Sequence, residues 1–307
     1  MIPKPNFFII GAPRCGTTAL SEYLKSHPRI GFSIPKEPHF FASDLPNLRC
    51  VEHESDYLKT CFGHLEGGEY AAVGEASVWY LYSKEAIEQI LAFDPNAKFI
   101  VMIRNPRDMV QALYEKYIES LQENCSSFEK AWHLQSQRKL GKQIPKHCKH
   151  ASMLIYADVA RMGEQLERAM KLIPANQLKL IVFDDFISHT GDVYRSVLDF
   201  LNVPDDGRSV FPRINEGQQV KLRWLYQEIS IPNPWLMKIV GFVKRLLHIE
   251  RLDIQPRLRQ LFVAKRDKKA VLSAQLQDEM RQEFSNDILL LEKLLQRDLS
   301  LWMGGPR

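Results

Sequence analysis

Cysteine is scarce in this 307-residue chain, and its five copies (positions 15, 50, 61, 125 and 148) are odd in number and form no Cys-x-x-Cys pair. A disulfide framework and a zinc site are therefore not expected, and the usage suits a reducing compartment. No apolar run approaches the roughly 20 residues that a membrane-spanning helix needs. No charged-then-apolar leader precedes the first strand pattern either, so the expectation is a soluble, cytoplasmic protein. Internal repeats and low-complexity tracts are absent as well. Neither sign of charge dominates: 41 Lys/Arg against 37 Asp/Glu give a formal net charge of +4. Such a mild basic bias fits an anionic ligand and gives no reason to expect nucleic acid. With 45% hydrophobic and 25% charged residues, the chain reads as a globular protein large enough to bury a substantial core.

What is present begins at Phe7-Phe8-Ile9-Ile10, four apolar residues that suit a strand covered on both faces. Gly11-Ala12-Pro13-Arg14-Cys15-Gly16 then makes a tight turn. Ala19, Leu20, Tyr23 and Leu24 follow at helical spacing, and His27-Pro28 closes the helix. A strand opening through glycines onto a helix N-terminus directs free backbone N–H groups, and the positive end of the helix dipole, at one point. Gly11 and Gly16 have the spacing of a Walker A loop, but Thr17 stands where that loop carries its lysine. ATP or GTP hydrolysis is thus a poor reading. An anion held by backbone amides, Thr17, Thr18 and Arg14 is a better one. Cys15 is either a reactive thiol at a helix N-terminus or simply a residue small enough to fit.

Further apolar runs, Ala72-Val73 leading into Gly74-Glu75, Lys98 to Ile103 and Leu178 to Phe183, alternate with helical patterns. The chain therefore reads as one α/β domain over residues 1–307, with a central parallel sheet flanked by helices. Two prolines bracket Lys36 and Glu37 in a rigid loop that continues into His39, Phe40 and Phe41. An acid, a base and an imidazole within four residues concentrate proton-transfer groups, although a surface turn anchored by two aromatics would look the same. Arg104 follows the run Lys98 to Ile103, at the end where open α/β sheets bind ligands; a buried salt bridge there is the competing reading. Residues 123–152 are polar, and a flexible lid, an acceptor-binding loop or a linker all suit them. Tyr156 to Leu172 has the pattern of one amphipathic helix. Between Trp235 and Lys269, ten Lys/Arg against three Asp/Glu give a local charge of +7. Its apolar start, residues 235–248, suits either peripheral membrane contact or a core-packed helix with a basic face.

The loop G-x-P-[KR]-x-G-T-T after the first strand resembles the 5′-phosphosulfate loop of the sulfotransferases that use PAPS (3′-phosphoadenosine 5′-phosphosulfate). Lys36-Glu37-Pro38-His39-Phe40-Phe41 is similar to the segment that supplies a catalytic glutamate in heparan-sulfate-type members. Arg104-Asn105-Pro106-Arg107-Asp108 resembles the 3′-phosphate motif. Asp184-Asp185-Phe186 and Asp298-Leu299-Ser300-Leu301-Trp302 resemble late conserved blocks, so the likeness runs along nearly the whole chain. Two positions depart from the pattern. Ala76 stands where members carry a lysine near the sulfate, and Ala112 where they carry a serine on the 3′-phosphate.

The resemblance implies that Arg14, Cys15, Gly16, Thr17 and Thr18 hold the phosphosulfate and Arg104 the 3′-phosphate. PAPS would be the co-substrate, no metal would be needed, and the partner would be a small-molecule or glycan acceptor bearing a hydroxyl. Glu37 would take the hydroxyl proton, with His39 the alternative base and Arg14 neutralising charge on the leaving group. Glu75 remains as a second acid or as an orienter of Arg14. Arg213, Lys221 and Arg223 are candidates for a late loop over the nucleotide. Two other readings stay open: a P-loop kinase-like phosphotransferase and a nucleotide-binding module without activity.

Overall fold

The computed structural model describes residues 1–214, 218–220, 263–265 and 271–304. Strands β1 (Phe7–Gly11), β2 (Ile30–Phe32), β3 (Ala72–Glu75), β4 (Lys98–Ile103) and β5 (Leu178–Val182) form a parallel sheet in the order β2-β3-β1-β4-β5. Lys98 to Ile100 pair with Phe7 to Ile9, and the register shifts before Gly11 meets Val101. The buried apolar runs of β1 and β4 lie at the centre, as continuous hydrophobic strands should. β2 was not legible: it is three residues long with Gly31 at its middle. A Cβ on Gly31 would lie 2.7 Å from Leu65 and 3.2 Å from Val73, so the glycine serves close packing rather than a turn. β5 is an edge strand, and Leu178, Lys179 and Leu180 are only half-buried, which corrects the expectation of a third buried strand. A separate antiparallel pair joins β6 (Gln218–Val220) to β7 (Val263–Lys265).

Helices α1 (Thr17–Lys25), α2 (Glu54–Phe62), α3 (Ala86–Phe93) and α4 (Pro106–Glu119) fill the first crossovers. Pro106 opens α4, where a missing N–H costs nothing, and the Asn105 side chain caps it by accepting from the Arg107 amide at 3.0 Å. Residues 123–152 are not a flexible lid. They contain α5 (Phe128–His133) and α6 (Gln135–Lys139) and are pinned by a fully buried pair. The Arg138 guanidinium donates to both Glu123 carboxylate oxygens, at 2.7 and 2.8 Å.

The amphipathic stretch from Tyr156 is two helices, α7 (Tyr156–Ala160) and α8 (Met162–Leu172), which break at Arg161. α9 (Phe183–Ser188), α10 (Thr190–Leu201), the long α11 (Ala274–Leu295) and α12 (Ser300–Met303) complete the described residues. The break before α8 has a tertiary cause. Asp287, in the middle of α11, accepts from the Gly163 and Glu164 amides at 2.9 and 3.0 Å and so caps α8 from another element. A Cβ on Gly163 would sit 2.7 Å from the Asp287 carbonyl. Met170, part of the expected apolar stripe, is 41% exposed. Residues 235–248, together with Lys221, Arg223 and all of 235–269 except β7, lie outside the described residues.

Candidate active site

The strand order reverses between β1 and β4, so the crevice outside their C-terminal ends is the expected ligand site of such a sheet. Both sequence-predicted loops open there. Gly16 is the N-cap of α1 at φ +91°, and no side chain among the described residues caps this helix. Its first amides are thus left for a ligand. Gly16 is also irreplaceable in space, because a Cβ would meet the Phe183 ring at 3.0 Å and Phe186 at 3.2 Å. Arg14 takes φ +62°, a left-handed conformation unusual for a side-chain-bearing residue and typical of functional turns.

Arg104 reaches back across this turn. Its Nη1 donates to the Arg14 carbonyl at 3.2 Å, and its guanidinium lies 4.5 Å from the centre of the Phe183 ring. The Nε atoms of Arg14 and Arg104 are both buried without a hydrogen-bond partner among the described residues. Burial first, and the neighbouring Arg104 charge second, push Arg14 below its ordinary range. Two half-buried cations whose Nε donors are unsatisfied, beside the N-terminal amides of α1, make a site for a multiply charged anion. The sequence-predicted members Arg14, Gly16, Thr17, Thr18 and Arg104 border one cavity of about 500 Å³. Its far wall is aromatic and was not foreseen: Tyr23, Phe183, Phe186 and Phe211 line it, with Arg213 at the end.

Arg14, Thr17 and Thr18 also border a second cavity of about 350 Å³, on the other side of the loop, lined by Glu37 and His39. The turn carrying them is fastened at several points. The Ile34 amide donates to the Cys61 carbonyl at 3.0 Å, the Cys50 amide to the Pro38 carbonyl at 2.9 Å, and the Ala76 amide to the Lys36 carbonyl at 3.2 Å. Lys36 Nζ donates to Glu37 Oε1 at 2.7 Å, leaving Oε2 turned toward His39 Nε2 at 3.7 Å.

The His39 ring nitrogen Nδ1 lies 3.0 Å from the Glu37 carbonyl oxygen, which can only accept, so Nδ1 carries the proton. Burial pushes the imidazole down to about 4, against the opposing pull of Glu37, and keeps it neutral near pH 7. Its Nε2 is then a buried lone pair without a hydrogen-bond partner among the described residues. Lys116, Lys149, Gln122 and Met153 close the opposite side of this cavity. Lys149 belongs to the stretch predicted as a lid or acceptor loop, and it does border the cavity from a fixed position.

Cys15 does not join the ligand surface through its side chain. The thiol is buried against the Pro13 carbonyl at 3.5 Å, and burial pushes it up to about 12, which removes the reactive reading. Its amide is already used within the turn, on the Ala12 carbonyl at 3.4 Å. Glu75 does not orient Arg14. It is fully buried and accepts from the hydroxyls of Tyr57 (3.1 Å), Tyr80 (2.8 Å) and Ser77 (2.8 Å). Ser77 Oγ in turn accepts from the His39 amide at 3.0 Å, so this network holds up the Glu37–His39 turn from below.

Burial pushes Glu75 up to about 8 from the usual 4.5, partly offset by those three hydroxyls. The folded state therefore holds a proton that the unfolded chain has released, and Glu75 costs stability as pH rises from about 5 to about 8. Measured against Glu75→Gln, the wild type is expected to lose about 1.4 kcal/mol for each pH unit across that window. Urea titrations of both proteins at pH 5.5, 6.5 and 7.5 check this, and parallel curves would reject it.

The acidic pair after β5 is engaged by the C-terminal segment. The Trp302 indole N–H donates to Asp184 at 3.1 Å, and Arg297 pairs with both oxygens of Asp185. Arg107 donates to the Trp302 carbonyl at 2.7 Å. The resembling end block thus latches onto the loops after β4 and β5. Among the described residues no cluster of three His, Cys, Asp or Glu is placed to hold a metal ion.

Comparison with known proteins bears on the same features. Human carbohydrate sulfotransferase 15 is 30% identical over 162 residues, covering 40% of this chain and 28% of that protein. Human heparan sulfate glucosamine 3-O-sulfotransferase 6 is 32% identical over 102 residues, covering 33% of this chain and 27% of that protein. The chain thus spans just over a quarter of the length of these curated relatives. A solved sulfotransferase from Alicyclobacillus acidocaldarius superposes with a TM-score of 0.70 at 24% identity, over 99% of this chain and 100% of that one, which shows a shared fold. The model of the sulfotransferase domain matches residues 4–216, a span that holds the phosphosulfate-type loop, the Glu37–His39 turn and Arg104, and the chain belongs to that family.

Proposed function

We propose that this protein transfers the sulfuryl group of PAPS to a hydroxyl of a carbohydrate or other small acceptor. The observation that carries the reading is the meeting of two cavities at Arg14, Thr17 and Thr18, one holding Arg104 and an aromatic wall, the other Glu37 and His39. The orphaned Arg14 and Arg104 Nε atoms and the uncapped α1 amides fit a bisphosphorylated nucleotide. PAPS, when bound, supplies an activated sulfuryl group on a phosphate leaving group. Arg104 holds the distant phosphate, and Arg213, which borders the same cavity, is a further donor for it where Ala112 offers none. The α1 amides, Thr17 and Thr18 fix the reacting end, and Arg14 faces the negative charge that builds there. Glu37 takes the acceptor's proton on a carboxylate oxygen, while the His39 Nε2 lone pair accepts from a second, neighbouring hydroxyl of the acceptor and so orients it. The polar and cationic lining supplied by Lys116, Lys149 and Gln122 suits a hydroxyl-rich acceptor, in keeping with the carbohydrate and heparan sulfate glucosamine that the relatives are named for.

A cytoplasmic setting belongs to the same proposal and rests on the five free thiols. Among the described residues, no helix is long and apolar enough to cross a membrane. Thr17 in place of the P-loop lysine speaks against the kinase-like reading.

Adenosine 3′,5′-bisphosphate is the direct probe. At 100 times its Kd it is expected to add about 2.7 kcal/mol of stability, seen as a rise in Tm, and ATP with magnesium is expected to add far less. Arg104→Ala should abolish the shift. A shift with ATP and magnesium alone would overturn the proposal in favour of a kinase.

A further inference from the structure

Two of the scattered cysteines meet in space. Cys50 and Cys61 are eleven residues apart in sequence, and their Sγ atoms lie 3.8 Å apart, with Cys50 exposed and Cys61 buried at the end of α2. Neither belongs to the site described above, yet each holds one side of the turn that carries Glu37. The Cys61 carbonyl accepts from Ile34 at 3.0 Å, and the Cys50 amide donates to the Pro38 carbonyl at 2.9 Å. Glu37 is the residue before Pro38, so the thiol pair and the turn share one backbone clamp.

We infer that Cys50 and Cys61 form an oxidative modification site, closed to a disulfide by a peroxide, that displaces Glu37 and lowers turnover reversibly. The chemistry balances with hydrogen peroxide as the two-electron oxidant. The Cys50 thiolate attacks one peroxide oxygen, the O–O bond breaks, and the departing hydroxide takes up a proton as water, leaving a sulfenic acid on Cys50. The Cys61 sulfur then attacks that sulfur and gives up its proton. The S–O bond breaks, and the hydroxide released takes up the proton as a second water. Two thiols are oxidised by two electrons in all, and one peroxide is reduced to two waters.

Three features support the order of events. Cys50 is the accessible partner. The hydrogen bond between the two thiols lowers the Cys50 pKa to about 7, which puts a thiolate on the exposed sulfur near neutral pH. Cys61, shielded in the core, is positioned as the resolving thiol. A disulfide needs the two sulfurs at about 2.05 Å, so bridging must draw them together from 3.8 Å. Cys61 is buried within α2 and Cys50 lies in an exposed loop, so the Cys50 segment moves, and the Pro38 carbonyl bonded to its amide moves with it. A displacement of about 1 Å at a reacting group is enough to cost orders of magnitude in rate.

The effect on turnover rests on the sulfotransferase reading; the modification itself does not. The experiment treats the full chain with hydrogen peroxide, blocks residual thiols, and reads the peptides by mass spectrometry alongside PAPS-dependent turnover and the bisphosphate thermal shift. The expected result is a Cys50–Cys61 cross-linked peptide and a fall in turnover on the order of tenfold or more, both restored by dithiothreitol. The bisphosphate shift should persist in the oxidised protein, because neither cysteine borders the nucleotide cavity. Cys50→Ser, an exposed substitution expected to fold, should keep basal turnover and resist peroxide; Cys61→Ala gives an independent second variant. A Cys50 that is oxidised without linking to Cys61 would overturn the proposal. So would a bridge that leaves turnover unchanged, or peroxide sensitivity that survives in Cys50→Ser. Failure of the bisphosphate shift in both the reduced and the oxidised protein would count against the sulfotransferase reading, while the cross-link would still support the modification site.

Discussion

Glu37→Gln is expected to lower kcat by about 10²- to 10⁴-fold, the range that removal of a positioned general base produces. That is about 3–5 kcal/mol of transition-state stabilisation. The substitution keeps the side chain's shape and removes its charge, and an amide cannot take up the acceptor's proton. The turn around it is held by backbone hydrogen bonds from Ile34, Cys50 and Ala76, none of which depends on the carboxylate, so the fold should be unaffected. Glu37 borders the second cavity and not the one lined by Arg104, so the bisphosphate thermal shift should be retained in full.

His39→Ala separates the two candidate bases. It removes a neutral lone pair proposed to orient the acceptor through a neighbouring hydroxyl, and should cost roughly tenfold, less than loss of the base itself. Because burial holds His39 down to about 4, the pH profile of kcat/KM should show no inflection near 6.5. If Glu37→Gln keeps nearly all its turnover while His39→Ala loses it, the imidazole is the base. Equal and small losses in both would remove the turn from the chemistry. The measurement is transfer of radiolabelled sulfuryl from PAPS to a panel of carbohydrate and small-alcohol acceptors.

The geometry of the candidate anion loop was legible because its parts are contiguous. A buried strand, Gly11, Gly16 and a helix N-terminus follow one another within a dozen residues, and local geometry converts that order directly into a phosphate-type cradle. The parallel sheet was legible for a similar reason, since continuous apolar runs separated by helical patterns leave few other arrangements. What escaped was tertiary. Phe183, Phe186 and Phe211 read as ordinary apolar residues until the fold placed them opposite Arg104. The break between α7 and α8 depends on Asp287, more than a hundred residues later. Glu75 looked like a second acid beside Arg14, but three hydroxyls from Tyr57, Ser77 and Tyr80 claim it instead. The polarity of residues 123–152 suggested mobility, and only the three-dimensional pairing of Glu123 with Arg138 reveals a locked segment.

That pair sets the largest expected effect on stability. Glu123 and Arg138 side chains are fully buried, and each guanidinium–carboxylate contact is short, at 2.7 and 2.8 Å. Glu123 also accepts from the Asn124 and Cys125 amides at 2.9 and 3.0 Å and from the Tyr156 hydroxyl at 2.9 Å. Burial alone would push this carboxyl up, but the hydrogen bond from Arg138 and those from its other neighbours hold it below its usual value. A depressed carboxyl contributes stability that is present above its unfolded pKa and lost as pH falls through the folded one.

Arg138→Ala strands a buried carboxylate and is expected to cost about 3–5 kcal/mol, a Tm drop on the order of 10 °C for a chain of this size. The loss should shrink at acid pH, where Glu123 can accept a proton instead of a partner. Replacing both residues by apolar ones of similar volume should recover much of it, because the desolvation cost then disappears from both sides. The pair also positions part of the cavity proposed for the acceptor, since Gln122 adjoins Glu123, and Lys149 and Met153 follow the segment that Arg138 anchors. At temperatures where Arg138→Ala remains folded, its KM for acceptor should therefore rise while its affinity for the nucleotide bisphosphate is unchanged. Equal weakening of both ligands would instead mean that the ion pair supports the whole fold and gives the acceptor side no special order.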